Sequence, residues 1–169
     1  MTTSANLILN QKQTRQKIKR IAFEIYEHNF AEEEIILAGI YDKGYRFGQL
    51  LQAEFNAVSP VRSRLVKVSL DKFSPLQGDI ELDCALEVLH NKCIVLLDDV
   101  LNTGRTLIYS LKPFLSMEIK KLQTAVLVDR GHKLFPVSTD YVGYALSTTL
   151  KEHVEVVLEE GDTFGVYLH

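Results

Sequence analysis

The stretch Cys93-Ile94-Val95-Leu96-Leu97-Asp98-Asp99-Val100-Leu101-Asn102-Thr103-Gly104-Arg105-Thr106 decides how this chain is read. Its first five residues are apolar throughout, as expected of a short strand buried on both faces. Two carboxylates come next, then a loop of small hydroxyl residues and glycine. A buried strand that delivers two like charges to one spot needs something for those charges to hold. Gly104 can adopt backbone conformations closed to other residues and so expose successive N–H groups. Thr103 and Thr106 add hydroxyl donors, and a helix predicted over 106–115 points its positive end at the same place. Such a loop suits a phosphate monoester.

Asp98 and Asp99, adjacent at what the sequence suggests is an exposed strand end, should diverge rather than crowd each other. Carboxylates accept hydrogen bonds from sugar hydroxyls and can hold Mg2+ directly or through water. A vicinal diol a few ångströms from a bound phosphate describes a ribose 5-phosphate. The plainer alternative has one aspartate capping the helix and the other solvated. The loop lacks both GxxxxGK[ST] and GxGxxG, which removes the triphosphate P-loop and the usual dinucleotide fingerprint.

Outward from this stretch, strands alternate with helices. Residues 12–28 place Ile18, Ile21, Ala22 and Ile25 on one helical face. A β-branched run at 35–40 predicts a buried strand, and Gly44 to Phe55 resumes helical spacing through Phe47, Leu50 and Leu51. Strands are expected at 64–70 and 124–129, with later ones around 142–146, 154–158 and 164–168. Pro75 and Gly78 break the segment between the 64–70 strand and the apolar run at 93–97, and Pro113 ends or kinks the 106–115 helix. This alternation predicts one α/β domain over residues 1–169, with a mostly parallel sheet covered on both faces. Ligands of such sheets bind beyond the carboxyl ends of the strands. Three charged loops fall there: Tyr41-Asp42-Lys43-Gly44, Asp98 to Thr106, and Asp129-Arg130-Gly131-His132.

The 169 residues, 46% hydrophobic, suffice for one sizeable core, and a formal charge of −3 argues against broad coating of nucleic acid. No apolar run approaches the roughly 20 residues of a membrane span, and the polar start MTTSANLILNQKQ does not resemble a secretory signal. Cys84 and Cys93 have no zinc-like spacing and form no disulfide framework. The expected compartment is the cytoplasm, without a membrane partner.

DDVLNTGRT resembles the phosphoribosyl-pyrophosphate signature of the type I phosphoribosyltransferases. RIAFEIYEHN, LAGIYDKG, DDVLNTGRT and AVLVDRGHKLFPVSTDYVGYALSTTLKEHVEVVLEE are similar, in order, to segments of one subgroup. That subgroup is the bifunctional pyrimidine operon attenuation proteins/uracil phosphoribosyltransferases, and the similarity runs from about residue 7 to 168. The resemblance implies the family's single-domain fold, with a central sheet flanked by helices and a small hood region. It implies that Asp98 and Asp99 are the central catalytic pair, binding the ribose 2- and 3-hydroxyls with Mg2+ nearby. Leu101, Asn102, Thr103, Gly104, Arg105 and Thr106 would wrap the 5-phosphate. Tyr41, Asp42, Lys43 and Gly44 would form the pyrophosphate loop, often strained or cis in the family; Lys43 is otherwise a solvated turn charge.

Val128, Asp129, Arg130 and Gly131 would recognise the pyrimidine, their backbone groups reading uracil O2, N3–H and O4. Arg130 has two alternative uses, pairing with a carboxylate or approaching pyrophosphate. His132 is either a surface-turn residue or a ligand contact. The implied reaction joins uracil to phosphoribosyl pyrophosphate, giving UMP and pyrophosphate, with the aspartates holding a diol and its metal. A homodimer or larger homo-oligomer is also implied. Two departures stand out. The segment 71–80 is shorter than the family's closing loop, with Lys72 its obvious basic residue. RNA, the subgroup's second partner, is argued against by Phe23 where histidine is usual and Tyr144 where lysine is usual. The alternative reading is an RNA-binding, nucleotide-sensing regulator of pyrimidine genes with little turnover.

Overall fold

The computed structural model describes residues 5–71 and 79–169. Strand β1 (Asn6–Leu9) leads into α1 (Gln11–Asn29), whose start is a capping box. The Gln13 N–H donates to Asn10 Oδ1 and the Asn10 N–H to Gln13 Oε1, each at 2.9 Å, which satisfies two otherwise orphaned donors. Ile18, Ile21, Ala22 and Ile25 are buried on one face of α1, as their spacing predicts. β2 (Glu34–Ile40) runs straight into α2 (Tyr41–Val58), and β3 (Arg62–Ser69) comes after it. After the short β4 (Glu81–Leu82) and a 3-10 turn (Leu86–Leu89) comes β5 (Cys93–Leu101). Next are α3 (Arg105–Ser110), α4 (Lys112–Leu115), β6 (Lys121–Asp129), β7 (Tyr141–Ala145), β8 (Val154–Val157) and β9 (Gly165–Leu168).

The main sheet has the order β4-β3-β2-β5-β6-β7 and is parallel except for β4. β5 lies near its centre, and all nine of its residues are buried. Its alternate side chains serve two cores. Cys93, Val95 and Leu97 pack with Ile18, Ile21 and Ile25 of α1 and Phe47, Leu51 and Phe55 of α2. Ile94 and Leu96 pack on the opposite face with Leu89, Leu107 and Phe114. A strand covered on both faces has no polar alternation, which explains its unbroken apolar run.

A second sheet, β1-β9-β8, is antiparallel and forms the small hood. Leu9, Val154, Val156, Phe164 and Val166 join the core on the α1–α2 face, so the hood is anchored there. This is an α/β fold of the expected class.

Three sequence expectations change. β5 continues to Leu101, because its pairing with β6 persists through Asp98 opposite Val126 and Leu101 opposite Asp129. The aspartates are therefore buried within a strand, 4% and 7% exposed, and not at an exposed end. The predicted 106–115 helix is two short helices meeting at Leu111, with Pro113 in the first turn of α4, where its missing N–H costs nothing. The Tyr41–Gly44 segment is the first turn of α2 and not a separate loop. β1 has no counterpart among the sequence expectations. Its four residues carry too little pattern, and it exists through pairing with the distant β9. Lys72, expected to serve the closing loop, lies outside the described residues, as do Pro75 and Gly78.

Candidate functional site

The carboxyl ends of β2 and β5 converge below the hood, bounding a cleft of about 200 Å³. Lys43, Asp98, Asp99, Asn102, Thr103, Gly104 and Thr106 line one part of it, with Leu101 behind; His153 and Val154 come from the hood side. Proximity of the first set arises from parallel pairing of β2 with β5, which puts both strand ends on one edge.

Gly44 allows that approach. A Cβ there would stand 2.7 Å from Leu97 O, 3.2 Å from Asp98 Cα and 3.3 Å from Asp98 Oδ1. The first turn of α2 thus lies directly on β5, its positive end beside a buried carboxylate. Asp98 Oδ1 also accepts the Asp99 N–H at 2.9 Å. Tyr41 opens the turn at φ 54, in the left-handed region that a side chain rarely occupies. The backbone strain expected of this segment sits there, and no peptide among the described residues is cis. Lys43 faces the cleft, whereas Asp42 turns away to Lys67 Nζ, 3.0 Å distant.

The loop after β5 is held from outside, leaving its inner face to the cleft. Thr103 O accepts the N–H groups of Leu134 at 2.8 Å and Phe135 at 3.2 Å. Gly104 takes φ 86, and a Cβ there would meet Val137 Cγ1 at 2.5 Å, so no other residue fits. The Arg105 N–H donates to Thr103 Oγ1 at 3.3 Å, and its guanidinium lies 5.2 Å over the Phe135 ring. Arg105 is therefore an outer support of the loop. α3 has six residues, so the loop amides contribute more than its dipole does.

Val128, Asp129, Arg130 and Gly131 lie beyond the cleft lining, at the end of β6. Two of the N–H donors expected to read a base are already engaged there. Arg130 N–H donates to Leu101 O at 3.2 Å, and Gly131 N–H donates to Asp129 Oδ1 at 2.9 Å. Asp129 O accepts the Leu146 N–H at 2.8 Å. The Arg130 guanidinium is held by Asn102, Thr148 and two backbone carbonyls, and among the described residues no side-chain carboxylate is its hydrogen-bond partner. His132 Nε2 bonds Thr148, a use within the protein. The Glu152 carboxyl is held below its usual pKa by hydrogen bonds from Thr149, chiefly its backbone N–H.

Sequence reasoning assigned no site role to Val100, Leu107 and Val126, apolar lining residues on or beside β5 and β6, or to His153 and Val154. Only the return of the hood over the strand ends places the last two there, and no local spacing signals it.

A Mg2+ ion fits the donor set in a restricted way. Asp98 and Asp99 both border the cleft, but no group of three or more His, Cys, Asp or Glu capable of holding a metal exists among the described residues. Mg2+ characteristically uses one or two carboxylates and completes its shell with ligand oxygens and water. The pair suits an ion that arrives with its ligand.

The phosphoribosyl transferase domain profile matches residues 4–160. This chain belongs to the type I phosphoribosyltransferase family. Its relatives include a bifunctional protein PyrR of Caldicellulosiruptor bescii, 34% identical, with 92% of this chain and 89% of that protein covered. A second, from Clostridium novyi, is 33% identical over 94% and 93% of the two chains. Among solved structures, the hypoxanthine phosphoribosyltransferase of Trypanosoma cruzi superposes with a TM-score of 0.79. It covers 96% of this chain and 95% of its own at 18% identity, which establishes the shared fold. Phosphoribosyl transfer from phosphoribosyl pyrophosphate is the reaction class of this family. As a phosphoribosyltransferase-family chain, the protein carries its DDVLNTGRT segment at the cleft, on the central strand. No helix among the described residues is long and apolar enough to cross a membrane.

Proposed function

We propose that the cleft binds 5-phosphoribosyl ligands of the uracil series, phosphoribosyl pyrophosphate and UMP, and that the protein acts chiefly as a nucleotide-sensing regulator. Its output is binding to an RNA of pyrimidine genes, and its phosphoribosyl transfer to uracil is weak. The carrying observation is the buried Asp98–Asp99 pair facing an open loop whose outer side is already tied down. In this reading the aspartates accept from the ribose diol, while Asn102 to Thr106 surround the 5-phosphate with hydroxyl and backbone donors. Lys43 supplies a cation near pyrophosphate. When bound, Mg2+ neutralises charge on the pyrophosphate as it leaves. The protein then has to align the reacting groups and exclude water, without a nucleophile of its own.

Three observations support a regulatory role. The relatives are described as bifunctional. The Arg130 and Gly131 N–H groups are spent within the protein, leaving fewer donors for uracil O2 and O4. Lys12 and Lys19 border one groove of α1 and offer RNA a short cationic strip, whereas Arg15 between them is paired with Glu160 at 2.6 Å. Arg20 and Lys17 contribute less: Arg20 donates to the Val142 and Gly143 carbonyls, and Lys17 sits over the Tyr144 ring. The second reading is a dedicated cytoplasmic uracil phosphoribosyltransferase acting as a homo-oligomer. It is favoured by Lys43 and the aspartates lining the same cleft.

Both readings are tested together. UMP and pyrophosphate formation is measured from uracil, hypoxanthine, guanine, xanthine and orotate. Binding of a pyrimidine-gene leader RNA is measured against salt, with and without UMP. Slow UMP formation with UMP-strengthened, salt-sensitive RNA binding supports the regulator. Rapid UMP formation without RNA binding supports the dedicated enzyme. Activity confined to a purine overturns the uracil assignment.

A further inference from the structure

Arg130, one residue beyond β6, ties two separate segments together with one side chain. Its Nη1 donates to Asn102 Oδ1 of the phosphate loop at 3.0 Å. Its Nε donates to Thr148 Oγ1 at 3.1 Å, and its Nη2 donates to Thr149 O at 3.3 Å and Glu152 O at 2.6 Å. His132 grips Thr148 from the same loop. The Glu152 carboxylate accepts the Thr149 N–H and closes the 149–152 turn on itself. The next two residues, His153 and Val154, line the cleft.

We infer that Arg130 is a positioning residue that couples the phosphate loop at Asn102 to the 148–152 turn, and so sets His153 and Val154 over the cleft. The chemistry of the partners argues for geometry over charge pairing. They are an amide oxygen, a hydroxyl and two carbonyls, spread around a planar fork that only arginine provides. A lysine would supply the charge from one point and could not reach all four. Occupation of the loop by a phosphate constrains Asn102, and through Arg130 it steadies the turn that carries the hood side of the site. Only the ligand part of this inference rests on the phosphoribosyl reading.

The test is hydrogen exchange of the full chain as wild type, Arg130→Lys and Arg130→Ala, without ligand and with Mg2+ and phosphoribosyl pyrophosphate. Without ligand, amides of 147–153 should exchange about tenfold faster or more in both variants, on the scale of losing hydrogen bonds to a charged group, with the sheet unchanged. With ligand, protection of 147–153 should rise in the wild type and fail to rise in Arg130→Lys. Arg130→Lys decides the matter if Arg130→Ala does not fold. Wild-type protection of 147–153 in Arg130→Lys, with or without ligand, overturns the coupling. If the wild type binds no phosphoribosyl pyrophosphate, the ligand reading fails, while the unliganded comparison still decides the role of Arg130.

Discussion

Gly44→Ala should damage the site more than the fold. The added Cβ would lie 2.7 Å from Leu97 O, and ordinary contact begins at 3.4 Å, so the first turn of α2 must retreat by about 0.7 Å. Overpacking of this kind costs about 1–3 kcal/mol, offset by about 1 kcal/mol from replacing a helical glycine. A net loss of about 1 kcal/mol lowers Tm by roughly 2–4 °C in a domain of this size. The same retreat moves Lys43 and crowds Asp98 Oδ1, which the new methyl would meet at 3.3 Å. Binding constellations tolerate about 0.5 Å of displacement, so affinity for Mg2+ and phosphoribosyl pyrophosphate should fall about tenfold or more. Thermal unfolding and calorimetric titration of the same preparations measure both. Unchanged affinity beside a lowered Tm would refute the claim that this turn and Asp98 form one binding surface.

Asp98→Asn and Asp99→Asn should each weaken phosphoribosyl pyrophosphate binding and its Mg2+ dependence, and Thr106→Val should weaken phosphate binding alone. Titrations of UMP, phosphoribosyl pyrophosphate and ribose 5-phosphate distinguish them, and wild-type affinity in all three sinks the site. Burial pushes the Tyr141 hydroxyl up to about 12 from an ordinary value of 10.0, because the buried phenolate is disfavoured. The folded state holds that proton more tightly, so stability is unaffected by this group below pH 10 and falls as pH rises from 10 towards 12. Tyr141→Phe should flatten stability over that alkaline window in denaturant titrations; an unaltered slope contradicts the assignment. Asn10→Ala removes the acceptor for the Gln13 N–H and should cost about 1 kcal/mol, read as a fall in urea midpoint with m unchanged.

β2, β5 and the 124–129 part of β6 are legible in the sequence because they are covered on both faces and apolar along that length, while β3 is legible by alternation and the two-residue β4 is not legible. β5 reads four residues too short, since Asp98 and Asp99 look like the end of an apolar run. Only pairing with β6 shows that they stay inside the sheet. The loop after β5 is legible for a different reason: Gly104 and its hydroxyl neighbours act locally, and local chemistry survives in sequence. His153 is not, because it reaches the cleft only through the seating of the β8–β9 pair, which β1 from the other end of the chain joins through β9. The use of Arg130 is equally hidden. Its acceptors, Asn102 and Thr148 to Glu152, stand 18 to 28 residues away along the chain, apart from each other.

The central claim is that Asp98, Asp99 and the Asn102–Thr106 loop hold one 5-phosphoribosyl group. Calorimetric titration of phosphoribosyl pyrophosphate into the wild-type chain with Mg2+, repeated in the presence of saturating UMP, tests it most directly. The predicted result is one saturable site per chain whose heat disappears when UMP is already bound. Absence of saturable heat, or full binding in the presence of UMP, contradicts it.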